Sequence, residues 1–347
     1  MKRRASIFLS MFLSMMGLIM LGGAALPGFA VAAEPQPKSL IIATPAEGTT
    51  AHIWTVAIAN VLRKYTGVAI TVSPTSGAFE ASNLLLKGDA QGAYGDVVAT
   101  YNSYMGLPGY DRGTHLFRQL QGGYTGVYHV VVRADSNIKT IADLKGKRFM
   151  CFRPGTPLIE EVWPVLLAAY KLTRKDLKVL PAMSPKEQTA ALKEGRTDAF
   201  FLIGGIPNPA LTELSYNVPI RLLGVTRGEA KEILNKIPYF YTITAPANSY
   251  KGQNEPVPVL AYPSGIVLKK DLPNEFVYTM TKTMVEHLEE IQGVHNSLKD
   301  LTRQSIATGL YIPLHAGAFK YYKEKGLIPA NMERFHKDLL AKMKQTE

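Results

Sequence analysis

The sequence predicts an α/β protein folded as two lobes, with a hinge and a cleft between them, and three observations predict it. Short β-rich runs alternate with amphipathic helical runs, the pattern of layered α/β folds. That alternation occurs twice, on either side of residue 137. The chain then returns through a β-rich stretch at 257–273 and continues only in helices. A chain that leaves a lobe, builds a second and comes back makes two crossings, hence a hinge and a cleft. The expected division is lobe 1 over 39–136 and 257–347, and lobe 2 over 137–256.

The elements follow in order. "SLIIAT" (39–44) reads as a buried strand, and "TAHIWTVAIANVLRKY" (50–65) as a helix with Ile53, Ala57 and Val61 on one face. "VAITVS" (68–73) is the next strand and "FEASNLLLKG" (79–88) a helix stopped by Gly88. A β-α-β-α order pairs its strands in parallel by crossover. The pattern resumes with a strand at 147–152, a helix at 157–172 and a strand at 177–182. "SPKEQTAALKEG" (184–195) places Ser184 and Glu187 at capping-box spacing, Pro185 at the first helical position and Gly195 at the stop. The helix ends "LLLKGDAQGAYGD" and "ALKEGRTDAFFLIG" resemble each other, as two lobes of like topology would. The crossings are expected at the strand 128–138 and in the Pro-rich stretch 246–259.

Ahead of the first strand, Lys2, Arg3 and Arg4 precede an apolar run from Ile7 to Leu26 and the small-residue exit "FAVAA". This is the pattern of a secretory signal peptide over 1–33, cleaved after Ala32 or Ala33, for release into a periplasm. The run is long enough for an uncleaved anchor, but its Ser and Gly content and the Ala-Val-Ala-Ala-Glu exit favour cleavage. Without Lys2, Arg3 and Arg4 the formal charge falls from +11 to +8. The cations are dispersed rather than interleaved with aromatics, so a mild attraction for anions is expected and a nucleic-acid partner is not. About 314 residues suffice for two lobes. One cysteine, Cys151, excludes an internal disulfide.

Ligands of open α/β sheets bind at loops between a strand's carboxyl end and the next helix. Four such loops stand out. In "ATPAEGTTAH" (43–52), Thr44, Gly48, Thr49 and Thr50 are candidates: Gly48 permits close backbone approach, and Thr49 or Thr50 caps a helix whose free N–H groups attract an anion. In "SPTSGAFE" (73–80), Ser76, Gly77 and Ala78 repeat the arrangement. In "FRPGTP" (152–157), Arg153 offers a guanidinium for a carboxylate beside Gly155 and Thr156. In "IGGIPNP" (203–209), Gly204 and Gly205 open the backbone and Asn208 adds an amide. Tyr94 and Asp96 lie in "YGD" (94–96), with Asp96 placed either in the cleft or as the cap of a helix from Val97. Trp54 and Phe79 join Tyr94 as aromatics for pocket or core.

Enzyme readings find little support. Cys151 has no neighbouring histidine in sequence and alternates with Phe149 as a buried strand residue does. The seven histidines show no metal-ligand spacing. No Walker lysine or G-x-S-x-G elbow occurs. No cofactor, metal or catalytic residue is expected.

The stretches "PTSGAFEASNLLLKGDAQGAYGDVVATYNSYMG" (74–106), "YHVVVRADSNIKTIADLKGKRFMC" (128–151) and "ALKEGRTDAFFLIGGIPNPALTEL" (191–214) carry a resemblance, continued by 262–282 and 311–327. With them the mature chain resembles the TAXI family, the TRAP-associated extracytoplasmic solute receptors. The resemblance implies a type II periplasmic binding protein fold, a monomer that closes on an organic anion and delivers it to a TRAP permease. An amino acid or dicarboxylate would be a usual ligand. The same lobes presenting the solute to a membrane histidine kinase are the alternative. The chain departs from the family at Ser76-Gly77-Ala78, Tyr94-Gly95-Asp96 and Thr49-Thr50-Ala51-His52, which lose polar or aromatic side chains. It departs also at Phe152-Arg153-Pro154-Gly155-Thr156, which gains a cation.

Overall fold

The computed structural model describes residues 36–107, 115–152, 156–182, 184–237 and 239–343. The chain begins with β1 (Ser39–Thr44), α1 (Thr50–Thr66), β2 (Ala69–Pro74), α2 (Ala78–Lys87), β3 (Gly92–Asp96) and α3 (Val97–Met105). The long strand β4 (Phe117–Arg133) leads to β5 (Arg148–Phe152), α4 (Pro157–Ala169), β6 (Lys178–Pro181), α5 (Pro185–Lys193) and β7 (Ala199–Gly204). After them come α6 (Pro209–Asn217), β8 (Ile220–Leu222), α7 (Arg227–Lys236), β9 (Tyr241–Ala245) and a second long strand, β10 (Val257–Lys269). Four helices follow: α8 (Asn274–Glu286), α9 (Leu288–Gln292), α10 (Ala316–Glu324) and α11 (Ala330–Met343).

All ten strands join one mixed sheet in the order β2-β1-β3-β10-β4-β7-β5-β6, with β8 on β4 and β9 on β10. The two ends of the sheet have the same construction. β1 pairs in parallel with β2 and β3, while β5 pairs in parallel with β6 and β7. Each end is therefore a β-α-β-α-β unit whose first strand lies between the other two. In each, the second helix stops at a left-handed glycine before the third strand, Gly88 (φ 88°) and Gly195 (φ 71°). That is the structural content of the paired Leu-Lys-(x)-Gly stretches. Ser184 caps α5 by accepting from the Glu187 amide at 3.2 Å, with Pro185 in the first turn.

The long strands join the two ends. β4 pairs antiparallel with β10 over Phe117–Val127 and with β7 over Val127–Val132, and β10 also pairs with β3 and β9. The expected strand at 128–138 is thus the second half of β4. The Pro-rich stretch 246–259 differs from expectation. It closes the β9–β10 hairpin, since Val257 already pairs with Ala245, and the return runs inside β10. Helices cover both faces. α1 and α8 pack on Leu40, Ile42 and Ile266, and α4 packs on the opposite side with Phe149 and Phe201. Cys151 belongs to that second cluster, 1% exposed, and burial pushes its thiol up to about 12, the opposite of an activated nucleophile.

Close backbone approach decides the middle of the sheet. Gly126 lies opposite Tyr262, and a Cβ there would enter the tyrosine ring; a Cβ on Gly122 would meet the Thr308 carbonyl. Tyr262 is 2% exposed and has nowhere to move. Gly126→Ala should therefore lower unfolding free energy by about 1–3 kcal/mol, the usual range for overpacking. Gly228→Ala, at a helical position in α7 with open space around it, should be neutral or stabilising by up to about 1 kcal/mol. Urea unfolding midpoints of the two variants check the contrast.

Candidate functional site

In both β-α-β-α-β units the crossover reverses between the first and third strands, so each has a switch point at its strand ends, where open α/β sheets bind ligands. The two switch points share one cavity of about 40 Å³. It is lined from one side by Pro45, Thr49, Thr50 and Ala51 after β1, by Gly77 and Ala78 after β2, and by Tyr94 and Asp96 of β3. From the other side come Thr156 after β5 and Ile203 and Gly204 of β7, and Tyr262 of β10 completes the wall. Such a volume holds only a few water-sized groups.

The starts of four helices meet there. Thr49 caps α1: its hydroxyl accepts from the His52 amide at 3.2 Å and donates to the Ala46 carbonyl at 2.7 Å. Gly77 caps α2 with no side chain, so the amides of that first turn keep their partial positive charge. Asp96 caps α3, its Oδ1 accepting from the Ala99 amide at 2.7 Å. Thr156 precedes α4, yet its buried hydroxyl makes no cap bond and has no hydrogen-bond partner among the described residues.

Asp96 is both of the things its sequence allows, helix cap and cavity wall. Burial pushes its carboxyl up from 3.8 to about 6, against the pull of the α3 amides, and Glu161 adds a smaller upward push. No lysine or arginine is among the cavity-lining residues described. Tyr94 and Tyr262 flank it, and burial raises both phenols well above their usual range. Behind them Trp54, fully buried, sits 5.0 Å from the Tyr124 ring and 6.0 Å from the Tyr94 ring. Gly95 keeps this corner tight, because a Cβ there would strike the Thr100 hydroxyl, and its carbonyl accepts from the Tyr311 hydroxyl at 2.6 Å.

One hydrogen bond closes the cavity between the two units: the Gly205 amide donates to the Thr50 hydroxyl at 2.8 Å. Gly204 has φ 155°, and a Cβ on it would lie 2.8 Å from the same hydroxyl. The loop is held from behind by Asn208. Its Oδ1 caps α6 and its amide donates to the Tyr250 hydroxyl at 3.0 Å, which lies 3.0 Å from His129 Nε2. Burial lowers His129 to about 4, so the ring is neutral near pH 7.

Eight of the residues singled out from sequence thus line one cavity: Thr49, Thr50, Gly77, Ala78, Tyr94, Asp96, Thr156 and Gly204. Gly205 and Asn208 lie just behind its rim. Three others stand apart. Thr44 is buried, with its hydroxyl on Thr55 and its carbonyl on Thr75. Gly48 is exposed and supplies the left-handed turn before α1 (φ 78°). Ser76 is exposed, its hydroxyl and amide both donating to Glu80 at 2.6 and 2.8 Å. Arg153 and Gly155 lie outside the described residues, as does the expected signal peptide. Sequence reading missed Pro45, Ala51, Ile203 and Tyr262. Their only local signal is position beside a strand end, and Tyr262 lacks even that, being inside β10.

Solved structures similar to this chain share 13–16% of its residues. One is the periplasmic aliphatic sulphonate binding protein SsuA from Escherichia coli, with 14% identity over 87% of this chain and 84% of that chain, TM-score 0.42. Another is the alkanesulfonate-binding protein SsuA from Xanthomonas axonopodis pv. citri bound to MOPS, with 15% identity over 85% and 96%, TM-score 0.47. A third is the substrate binding protein of an amino acid ABC transporter, with 14% identity over 74% and 96%, TM-score 0.43. The family profile is more direct: residues 42–326 match it, which spans both β-α-β-α-β units and the return strand, and the chain belongs to the NMT1-like family.

Proposed function

We propose that the chain is a periplasmic solute-binding protein that closes on a small organic anion and hands it to a membrane permease, a TRAP permease in keeping with the TAXI resemblance. The lobes follow the division expected from sequence, 39–136 with 257–347 and 137–256, with one exception. The ends of β4 and β10 pair with strands of the second lobe, so the turning points lie within those two strands. One observation carries this reading. Helix starts from both β-α-β-α-β units converge on a single cavity, and Thr50 and Gly205 meet across it. First-turn amides favour a carboxylate, and a site built from two units gains that ligand's contacts only on closing.

Asp96 narrows the ligand. A carboxylate beside this acid is repelled unless Asp96 is protonated, whereas an ammonium beside it is held. The solute that satisfies both ends carries one carboxylate for the starts of α1 and α2 and one cationic nitrogen for Asp96, as an amino acid does. With Tyr94, Tyr262 and Ile203 on its walls and a volume of about 40 Å³, the cavity suits a small apolar remainder better than a second carboxylate.

Three measurements test this. In a thermal-shift screen of amino acids and other organic carboxylates, a true ligand should raise the melting temperature further as its concentration rises. A screen without any hit in either class sinks the reading. Affinity for an amine-bearing hit should weaken as pH falls through about 6, because Asp96 then loses its charge. Asp96→Asn keeps a good helix cap but no charge. It should weaken that ligand by about 1.5–3 kcal/mol and flatten the profile between about pH 5 and 7, by calorimetry. The sign for the free protein is opposite. Because its folded value is raised, Asp96 contributes stability fully present below its unfolded value of 3.8 and lost as pH rises through about 6. Thr50→Val leaves the Gly205 amide without its acceptor, so stopped-flow should show faster ligand release. A wild-type release rate would remove this bond from closure.

A further inference from the structure

A second charged feature lies at the far end of β5 and β6, where their first residues meet two tight turns. The Lys178 amide donates to the Lys147 carbonyl at 2.9 Å and the Gly146 amide to the Asp176 carbonyl at 2.6 Å, which brings the turns at 139–147 and 171–178 side by side. Lys139, Lys145, Lys171, Lys175 and Lys178 are exposed there and Lys147 half-exposed.

The acids of this end are tied to local backbone amides and to two arginines rather than in close ion pairs with the lysines. Asp143 accepts from the Lys139 and Thr140 amides at 2.9 and 2.8 Å, and Asp176 from the Thr173 amide at 2.8 Å. Asp198 pairs with Arg148 at 2.6 Å and Glu160 with Arg174 at 3.7 Å. None of the six lysines forms an ion pair among the described residues, whereas Lys64, Lys320, Lys323 and Lys337 in the other half each pair with a glutamate. Asp143 and Asp176 offset part of this charge through Lys147 and Lys145, and the result is a face with a net excess of cations outside any close ion pair.

We propose that this face docks the protein on an anionic membrane surface through Lys139, Lys145, Lys147, Lys171, Lys175 and Lys178. Flexible, strongly hydrated ammonium groups suit many equivalent headgroups. Protein interfaces instead deplete lysine at their centre and place aromatics and arginine there, and the two arginines here are bound to Asp198 and Glu160. The surface is at the opposite end of β5 from Thr156, so docking leaves the cavity mouth clear.

The test is co-sedimentation of the full chain with vesicles of phosphatidylglycerol and phosphatidylcholine against phosphatidylcholine alone. The apolar N-terminus can enter either, so the readout is the ratio of the two partition coefficients. A ratio of roughly tenfold or more is expected, collapsing as salt rises from about 0.1 M to about 1 M and the screening length falls from about 10 to about 3 Å. Replacing Lys145, Lys147, Lys175 and Lys178 together by Glu should bring the ratio towards one at unchanged melting temperature. The same four changed to Gln, the gentler variant, should lower it in part. A ratio near one for the wild type, or one that neither variant alters, overturns the proposal. So does crosslinking of these lysines to an acidic membrane protein without preference for anionic vesicles.

Discussion

Seventeen residues of β4 and thirteen of β10 run antiparallel through the middle of the sheet, and the spacing of these two strands governs everything on either side. Glycines set that spacing. Gly126 accepts the Tyr262 ring against its Cα, Gly265 presses on the Gln121 carbonyl, and Gly122 lies under the Thr308 carbonyl. Tyr262 is thereby pinned on the cavity wall, and the segment before α10 is drawn onto β4 through the Gly122 and Gly123 amides at 2.8 and 3.1 Å. The first β-α-β-α-β unit is anchored through β3 on β10 and the second through β7 on β4. The positions of their helix starts relative to each other follow from that shared frame.

The cavity contains opposing electrostatic demands within a small volume. Helix starts present partial positive charge, and a buried aspartate presents a negative one whose ionisation burial has made costly. Aromatic walls exclude water and strengthen both effects. A ligand with two poles relieves them together, which is why the proposed solute is bipolar rather than doubly anionic.

Much of this fold was legible in sequence because its determinants are local. Alternating apolar runs, Ser184 at a cap and glycines at helix ends each act within a few residues, and β1 and α5 fall where those signals lie. The candidate residues Thr49, Thr50, Gly77 and Thr156 were legible for the same reason, since a strand end followed by a helix start is a local pattern. What was not legible is set by distant partners. Tyr262 reaches the cavity because Gly126 in another strand makes room, and the bond from Gly205 to Thr50 spans 155 positions. The hairpin at 246–259 carried turn residues that a crossing would also use, so composition alone did not separate the two. Ser76 had the right neighbours, but Glu80 one turn on captured its hydroxyl.

Asp96 holds α3 in place and gives the cavity its sign, and this double duty restricts what position 96 can become. Such a helix start is kept by few residues, essentially Asp, Asn, Ser, Thr and Gly. Within that set the wall is either negative or neutral and never positive. Related chains can therefore retune this corner between recognising a cation and ignoring one by a single substitution. A preference for a second anion would have to be built from another wall of the cavity.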